Sequence, residues 1–320
     1  MDHHHDFKRS APMKVLVVDD SPVYRHLIKS QLEEWGYQVL VASDGTEAWN
    51  VLQRPDSPEL VILDWVLPGV NGVDLCRRIR GRVHSYVYTV LLTGKDRKED
   101  WHEAMSAGAD DFLSKPFDAL ELKARLQVGK RILDLQEALV NTRESMRYAA
   151  THDALTGLRN RGEILSFLNR ELSRAQREKK KLGIVLADLD EFKSINDSLG
   201  HLFGDQVLKE TARRISSKTR VYDGVGRYGG EEFLIVLVDC DLTTTLIRSE
   251  EIRSHVGSSP IVHEGKRRIA TLSMGVAIAD GAQPLDADHL LNQADEALYQ
   301  AKRSGRNRVE HLDTVAPLSR

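Results

Sequence analysis

Two groups of residues in this sequence have the types and spacing for chemistry on phosphates. In the second half, Gly229-Gly230-Glu231-Glu232-Phe233 sets two adjacent carboxylates between a glycine pair and the apolar run Leu234 to Val238. Paired acids at the mouth of a buried strand repel each other, and a bound cation offsets that repulsion; ligands that are all oxygen suit Mg²⁺. A solvated acidic turn is the alternative for this stretch taken alone. Upstream, the apolar run Gly183 to Ala187 ends in Asp188, followed by Asp190, Phe192, Lys193 and Asn196. With a helix starting near Glu191, Lys193 and Asn196 share a face. A cation and an amide there suit a nucleotide, lysine for phosphate and asparagine for a base edge. Asp205, beyond Gly200 and Gly204, can accept from both the ring N–H and the exocyclic amine of guanine. Singly, each reads as a surface polar residue; their joint spacing carries the argument.

The second group lies in the first half. Asp19 and Asp20 follow Lys14 to Val18, Asp64 ends Leu60 to Leu63, Thr93 ends Thr89 to Leu92, and Lys115 ends Asp111 to Ser114. Three acids, a hydroxyl and a lysine make a phosphoryl site. The acids hold Mg²⁺, one accepts phosphate, and Lys115 with Thr93 answers the added charge.

These residues need strands to position them. Val39 to Ala42 makes a further strand, and amphipathic stretches such as Val73 to Ile79 separate the five, starting with Ser21-Pro22 as cap and first helical residue. Strands alternating with helices predict a doubly wound parallel five-stranded α/β sheet, whose carboxyl ends gather the five polar residues at one edge. Val221 to Val225 and the run after Glu232 predict a hairpin, its glycines serving a positive φ or close approach by a ligand.

Between the halves, Val128, Ile132, Leu135, Leu139, Thr142, Met146 and Ala149 recur at spacings of four and three. That is a heptad seam with one polar member, expected to form a helical stalk that dimerises. A helix buried against its own domain would give a similar stripe, although the surrounding charges suit an exposed helix better. The expected divisions are a polar tail over 1–12, a domain over 13–127, the stalk over 128–150, a second domain over 151–312 and a tail over 313–320.

A chain of 320 residues has room for two cores, and 41% hydrophobic with 29% charged residues is ordinary for a soluble protein. A net charge of −3 argues against nucleic acid or anionic membrane as a partner. No apolar run approaches a membrane span. Two cysteines, Cys76 and Cys240, in separate halves fit a reduced cytoplasm rather than a disulfide. His3-His4-His5 reads as part of the polar tail.

Asp64-Trp65-Val66-Leu67-Pro68-Gly69 and Ala107 to Phe117 closely resemble the receiver domain of two-component response regulators. The resemblance implies that Asp64 is phosphorylated by a sensor histidine kinase, with Asp19 and Asp20 on Mg²⁺ and Thr93 and Phe112 as switch residues. A receiver-like domain that is never phosphorylated is the alternative.

The second half resembles the GGDEF-type diguanylate cyclase domain in its GGEEF form, a mixed α/β nucleotidyl-cyclase-like fold. Asp153-Ala154-Leu155-Thr156, the two acidic motifs and Lys302-Arg303-Ser304-Gly305-Arg306 occur in the family's order. The resemblance implies that two GTP molecules are joined into cyclic di-GMP with release of two pyrophosphates. By position it implies Asp188 and Glu231 as Mg²⁺ ligands, Glu232 contributing, and Glu231 as a candidate base. Lys193, Lys302 and Arg306 would contact phosphates, while Asn196 and Asp205 read guanine. Cations at a helix C-terminus are a compatible reading of Lys302 and Arg306.

Arg220-Val221-Tyr222-Asp223 matches the family's RxxD product-inhibition site, with Arg220 and Asp223 on cyclic di-GMP. Glu251 departs from the family by replacing an arginine of a secondary contact, with Arg248 and Arg253 nearby as substitutes. The expected activity is therefore a phosphorylation-regulated cyclase acting as a homodimer. The competing expectation is an inactive domain that serves as a cyclic di-GMP receptor, against which the intact Asp188, Lys193, Glu231 and Glu232 argue.

Overall fold

The computed structural model describes residues 12–81, 86–94, 98–283 and 286–312, with the side chains of 98–101 excepted. Both expected tails, apart from Pro12, lie outside the described residues. The chain divides into two compact units, residues 1–142 and 143–320. Among the described residues no helix is long and apolar enough to cross a membrane.

The first unit alternates β1 (Lys14–Val18), α1 (Pro22–Glu34), β2 (Gln38–Ala42), α2 (Gly45–Leu52), β3 (Leu60–Asp64), α3 (Gly72–Arg80), β4 (Tyr88–Thr93), α4 (Lys98–Ser106) and β5 (Asp111–Ser114). The sheet runs β2-β1-β3-β4-β5, and every pairing is parallel. Helices cover both faces, so β3 and β4 are buried along their whole length. The order reverses at β1, which opens a crevice at the carboxyl ends of β1 and β3. Ser21 caps α1 and Asn71 caps α3, its Oδ1 accepting from Val73 N at 2.7 Å. A Cβ on Gly72 would sit 2.0 Å from the Asp64 carbonyl oxygen, so glycine lets α3 start directly beside the crevice.

Helix α5 (Ala119–Thr151) is continuous through Gly129. There is no break because the glycine serves packing: a Cβ would lie 2.5 Å from the Tyr88 ring. Leu122, Leu126, Gly129 and Leu133 form its buried face. The heptad residues lie on other faces and are exposed, Leu135 at 62%, Leu139 at 69% and Met146 at 67%. The stripe is therefore not the one that packs against the helix's own unit.

The second unit comprises α6 (Arg161–Glu178), β6 (Lys181–Leu189), α7 (Phe192–Leu199), α8 (His201–Ser217), β7 (Gly224–Arg227), β8 (Glu232–Val238), α9 (Leu242–Gly257), β9 (Ile261–His263), β10 (Lys266–Arg268), β11 (Leu272–Asp280), α10 (Ala287–Arg303) and β12 (Val309–His311). Its main sheet is mixed, in the order β12-β11-β6-β8-β7, with only β11 and β12 parallel. Side chains alternate along the strands. Val185, Ala187 and Leu189 join Phe233, Ile235 and Leu237 in one core, with α7, α8 and α9. Leu182, Ile184 and Leu186 join Leu234, Val236 and Val238 in the other, with α6 and α10.

One expectation is corrected, and of the two roles expected for the glycine pair one is excluded. The strand before the glycine pair starts at Gly224, and Val221 is fully exposed in the preceding turn, because Asp223 rather than an apolar side chain turns inward there. Neither Gly229 nor Gly230 has a positive φ. Gly229 instead admits the Glu232 carboxylate, 2.5 Å from where its Cβ would be, and Gly230 faces open space.

Gly275 on β11 receives the backbone of α10, with Ala294 O only 2.1 Å from a would-be Cβ. Gly275→Ala should therefore lower unfolding free energy by about 1–3 kcal/mol through overpacking, read as a lower urea midpoint at unchanged slope.

Candidate functional site

In the first unit the carboxylates of Asp19, Asp20 and Asp64 converge, each offering an oxygen within 4.8 Å of the others. Asp19 is fully buried and Asp20 exposed, so the group opens to solvent on one side. Lys115 Nζ lies 2.6 Å from Asp19 Oδ2 and 2.9 Å from Asp64 Oδ2, and 4.5 Å over the Tyr24 ring. Thr93 is 2% exposed, and its carbonyl accepts from Lys115 N at 2.7 Å. Phe112 is half-buried against the core. Burial raises the Asp64 carboxyl above its ordinary range, although Lys115 opposes it. Burial alone would lower the Lys115 ammonium, but its bonds to Asp19 and Asp64 outweigh that and hold it high. The all-oxygen group fits a hard divalent cation.

In the second unit the alternation along β6 and β8 decides the geometry. Asp188 shares parity with Leu186, and Glu232 with Leu234, so both belong to the face covered by α10. They are direct partners in the antiparallel register. Lys302, in the last turn of α10, reaches Asp188 Oδ2 with Nζ at 2.8 Å. Glu231 is held by its backbone, its carbonyl accepting from Leu189 N at 3.2 Å. Burial raises the Asp188 carboxyl; Lys302 opposes that rise, and the charges of Glu231 and Glu232 add to it. Among the described residues these three acids are not drawn as close together as the first unit's trio. Their donor chemistry is again carboxylate oxygen with a lysine beside it.

Lys193 and Asn196 lie on α7, Lys193 exposed and Asn196 half-buried. Asp205 is placed inside α8, because the chain turns at Gly200 (φ 90) and restarts as a helix at once. Gly204 lets the two helices meet, since a Cβ there would fall 1.9 Å from Asn196 Oδ1. Asn196 is thus packed on the first turn of α8, and Asp205 comes next in the chain. Arg306 is exposed with φ 60, and its N–H closes α10 on Ala301 O at 3.0 Å.

Asp223 lies beneath the surface beside Arg220. It is 4% exposed, and both oxygens are engaged: Val238 N donates to Oδ1 at 3.1 Å, while Arg220 N and Arg248 Nη2 donate to Oδ2 at 2.8 and 2.7 Å. A guanine edge at this carboxylate would share it with these three donors, which pair the buried acid within the fold. Arg220 is exposed, with Nη1 2.9 Å from Tyr222 Oη. Arg248 is committed to Asp223, and Arg253 bonds Glu250 and Asn307, so neither stands free in place of the arginine absent at Glu251.

Asp190, in the motif after β6, accepts from Thr271 Oγ1 at 2.7 Å, Ser273 Oγ at 2.6 Å and Asn307 N at 3.1 Å. It ties three segments together around Asp188. Sequence reasoning also passed over Arg227, whose Nη1 lies 3.2 and 3.1 Å from the two Asp153 oxygens. Its position one residue before Tyr228-Gly229-Gly230 was the available signal.

Residues 15–127 match the response regulator receiver domain and residues 150–308 the diguanylate cyclase GGDEF domain. The chain belongs to the GGDEF family, in the form that carries an N-terminal receiver domain. It is 33% identical over 299 residues to the response regulator PleD of Caulobacter vibrioides, covering 92% of this chain and 65% of PleD. It is 38% identical over 194 residues to the diguanylate cyclase DosC of Escherichia coli, covering 60% of this chain and 42% of DosC. The chain thus spans less than two thirds of either relative. The coiled coil and GGDEF domain of DgcB from Caulobacter crescentus, solved in complex with c-di-GMP, aligns with a TM-score of 0.53 at 31% identity over 59% of this chain and 98% of that one.

Hydrogen bonds from Thr156 and the Arg227 charge outweigh burial and hold the Asp153 carboxyl below its ordinary value. A depressed carboxyl contributes stability that is complete above its unfolded value, about pH 4, and is lost as pH falls through the lower folded value. Asp153→Asn should consequently show a smaller loss of urea midpoint between pH 7 and pH 3 than the wild type.

Proposed function

We propose that this protein is a diguanylate cyclase that condenses two GTP molecules into cyclic di-GMP and two pyrophosphates, under control of phosphorylation at Asp64. The observation that carries the reading is the register of Asp188 opposite Glu232, with Glu231 adjacent and Lys302 on Asp188. Asp188, Glu231 and Glu232 would hold Mg²⁺, which when bound supplies charge stabilisation at phosphate oxygens. Lys193, Lys302 and Arg306 bind phosphates, and Asn196 with Asp205 selects guanine. Glu231 takes the proton from the attacking 3′-hydroxyl.

In the receiver unit, Asp19 and Asp20 complete the acidic group around Asp64, Lys115 answers the phosphoryl charge, and Thr93 and Phe112 report it. A sensor histidine kinase supplies the phosphoryl group. The exposed seam of α5 pairs two chains, so that each contributes one GTP-loaded domain. Phosphorylation then shifts the population of productive dimers. Arg220 and Asp223 take part in product inhibition by cyclic di-GMP, Asp223 also holding the Arg220 backbone. Two buried free thiols, Cys76 and Cys240, fit a reducing cytoplasm.

Purified protein with GTP and Mg²⁺ should yield cyclic di-GMP by mass spectrometry, at a specific rate that rises with protein concentration and with beryllofluoride. Absence of product under all these conditions defeats the proposal in favour of a receptor. Glu231→Gln should lower kcat by about 10²-fold or more while leaving the oligomeric mass unchanged. Undiminished turnover in that variant would remove Glu231 from the reaction.

A further inference from the structure

We infer that Arg227 is a positioning residue for the Gly229–Glu232 loop, and that through Asp153 it makes the placement of Glu231 depend on the end of helix α5. The inference rests on the cyclase reading of Glu231 and Glu232 and adds a residue that reading does not use.

The tip of the loop has little of its own to hold it. Gly230 has open space where a Cβ would be, so no side chain of its own anchors it there. The base is closed by Tyr228 N and Gly229 N, which donate to Glu232 O at 2.8 and 3.3 Å. Beyond that, Arg227 folds back over its own loop. Its Nε and Nη2 both donate to Gly230 O, at 3.0 and 2.7 Å. The Gly230 carbonyl belongs to the peptide that joins Gly230 to Glu231. On its far side Glu231 is tied to β6 by Leu189 N. The Glu231 backbone therefore hangs between two anchors, a strand on one side and a guanidinium on the other.

That guanidinium is itself held from α5. Its remaining nitrogen, Nη1, straddles both oxygens of Asp153, and both side chains are about four-fifths buried (19% and 22% exposed). Asp153 lies two residues beyond the last residue of α5. It is fixed in its turn by Thr156 N and Oγ1, donating at 2.8 and 2.7 Å, and by its own N–H on Leu158 O at 2.8 Å. The same turn is stitched to the helix end and to β7. Asn160 N and Nδ2 donate to Thr151 O and Ala150 O at 2.9 and 2.8 Å, and Arg227 N donates to Arg159 O at 2.9 Å. A rotation or lengthening of the last turn of α5 thus moves Asp153, and with it the group that sets the Gly230 peptide. Arginine suits the place because its planar fork fixes the directions of three nitrogens, sending Nε and Nη2 to the carbonyl and Nη1 to the carboxylate, where a lysine offers one nitrogen on a flexible stem.

The test is steady-state turnover of GTP by the full chain over a range of Mg²⁺. Arg227→Met should lower kcat by about ten- to a hundredfold, the scale of a misplaced catalytic group, with KM for GTP little changed. Arg227→Lys should recover little, and the Mg²⁺ concentration for half-maximal rate should rise in both. Asp153→Asn keeps the turn and should lower kcat less. Adding it to Arg227→Met should cost nothing more, because the two act in series. A folded Arg227→Met with wild-type kcat, a change confined to KM, or single losses that multiply in the double variant would each overturn the inference. Should Arg227→Met fail to fold by circular dichroism, Asp153→Asn decides, and an unchanged kcat there overturns it. A silent wild type removes the cyclase reading and this inference together, whereas an active wild type beside an undiminished Arg227→Met removes the inference alone.

Discussion

Acidic side chains gathered at the end of a sheet repel one another, and burial makes each charge costlier still. Both units of this chain meet that cost with a lysine drawn in from a later element. Lys115, just after β5, spans Asp19 and Asp64, and Lys302, from the last turn of α10, sits on Asp188. Removing either lysine would leave a buried carboxylate without its partner, which is why these pairs matter more than the many ion pairs on exposed helix faces. A site that holds acids and a cation in balance is suited to exchanging one charged guest for another, as the proposed phosphate chemistry requires.

The folds reach this balance by different routes. In the parallel unit, the acids come together because strand ends of one direction share an edge, and the reversal at β1 opens it. In the mixed unit, antiparallel pairing sets Asp188 and Glu232 opposite each other, and period-two alternation sends both toward α10. Glycines set the remaining approach distances. Gly72 brings α3 onto Asp64, Gly204 brings α7 onto α8, and Gly275 brings α10 onto the sheet. Each is a point where a single methyl would move a functional side chain.

The region between α5 and the Gly-Gly loop is held by polar bonds in series. Asp153, Asn160, Arg159 and Arg227 form a continuous bonded path from the helix end to the peptide before Glu231. Such a path couples the two ends only insofar as the helix end has more than one stable arrangement. The exposed heptad face of α5, separate from the face that packs on Tyr88, gives the helix the freedom to have a partner.

Much was legible in the chain itself. Apolar runs ending in Asp19, Asp64 and Asp188 are visible as strands because burial on both faces leaves no polar alternation to confuse them. The four-and-three spacing of Val128 to Ala149 marks the helix, and Gly229-Gly230-Glu231-Glu232 marks the site. What the sequence could not settle was which polar group each side chain would find. Asp223 looks like a surface acid in its tetrapeptide, yet the fold turns it inward onto Arg248. Two glycines ahead of Asp205 hide how soon the helix restarts, at His201. Gly129 looks like a helix breaker and instead makes room for Tyr88. Local spacing determines which elements form and which residues share a face. The pairing of charges depends on contacts between residues far apart in the chain, such as Lys302 with Asp188 and Arg227 with Asp153, and only the folded arrangement decides those.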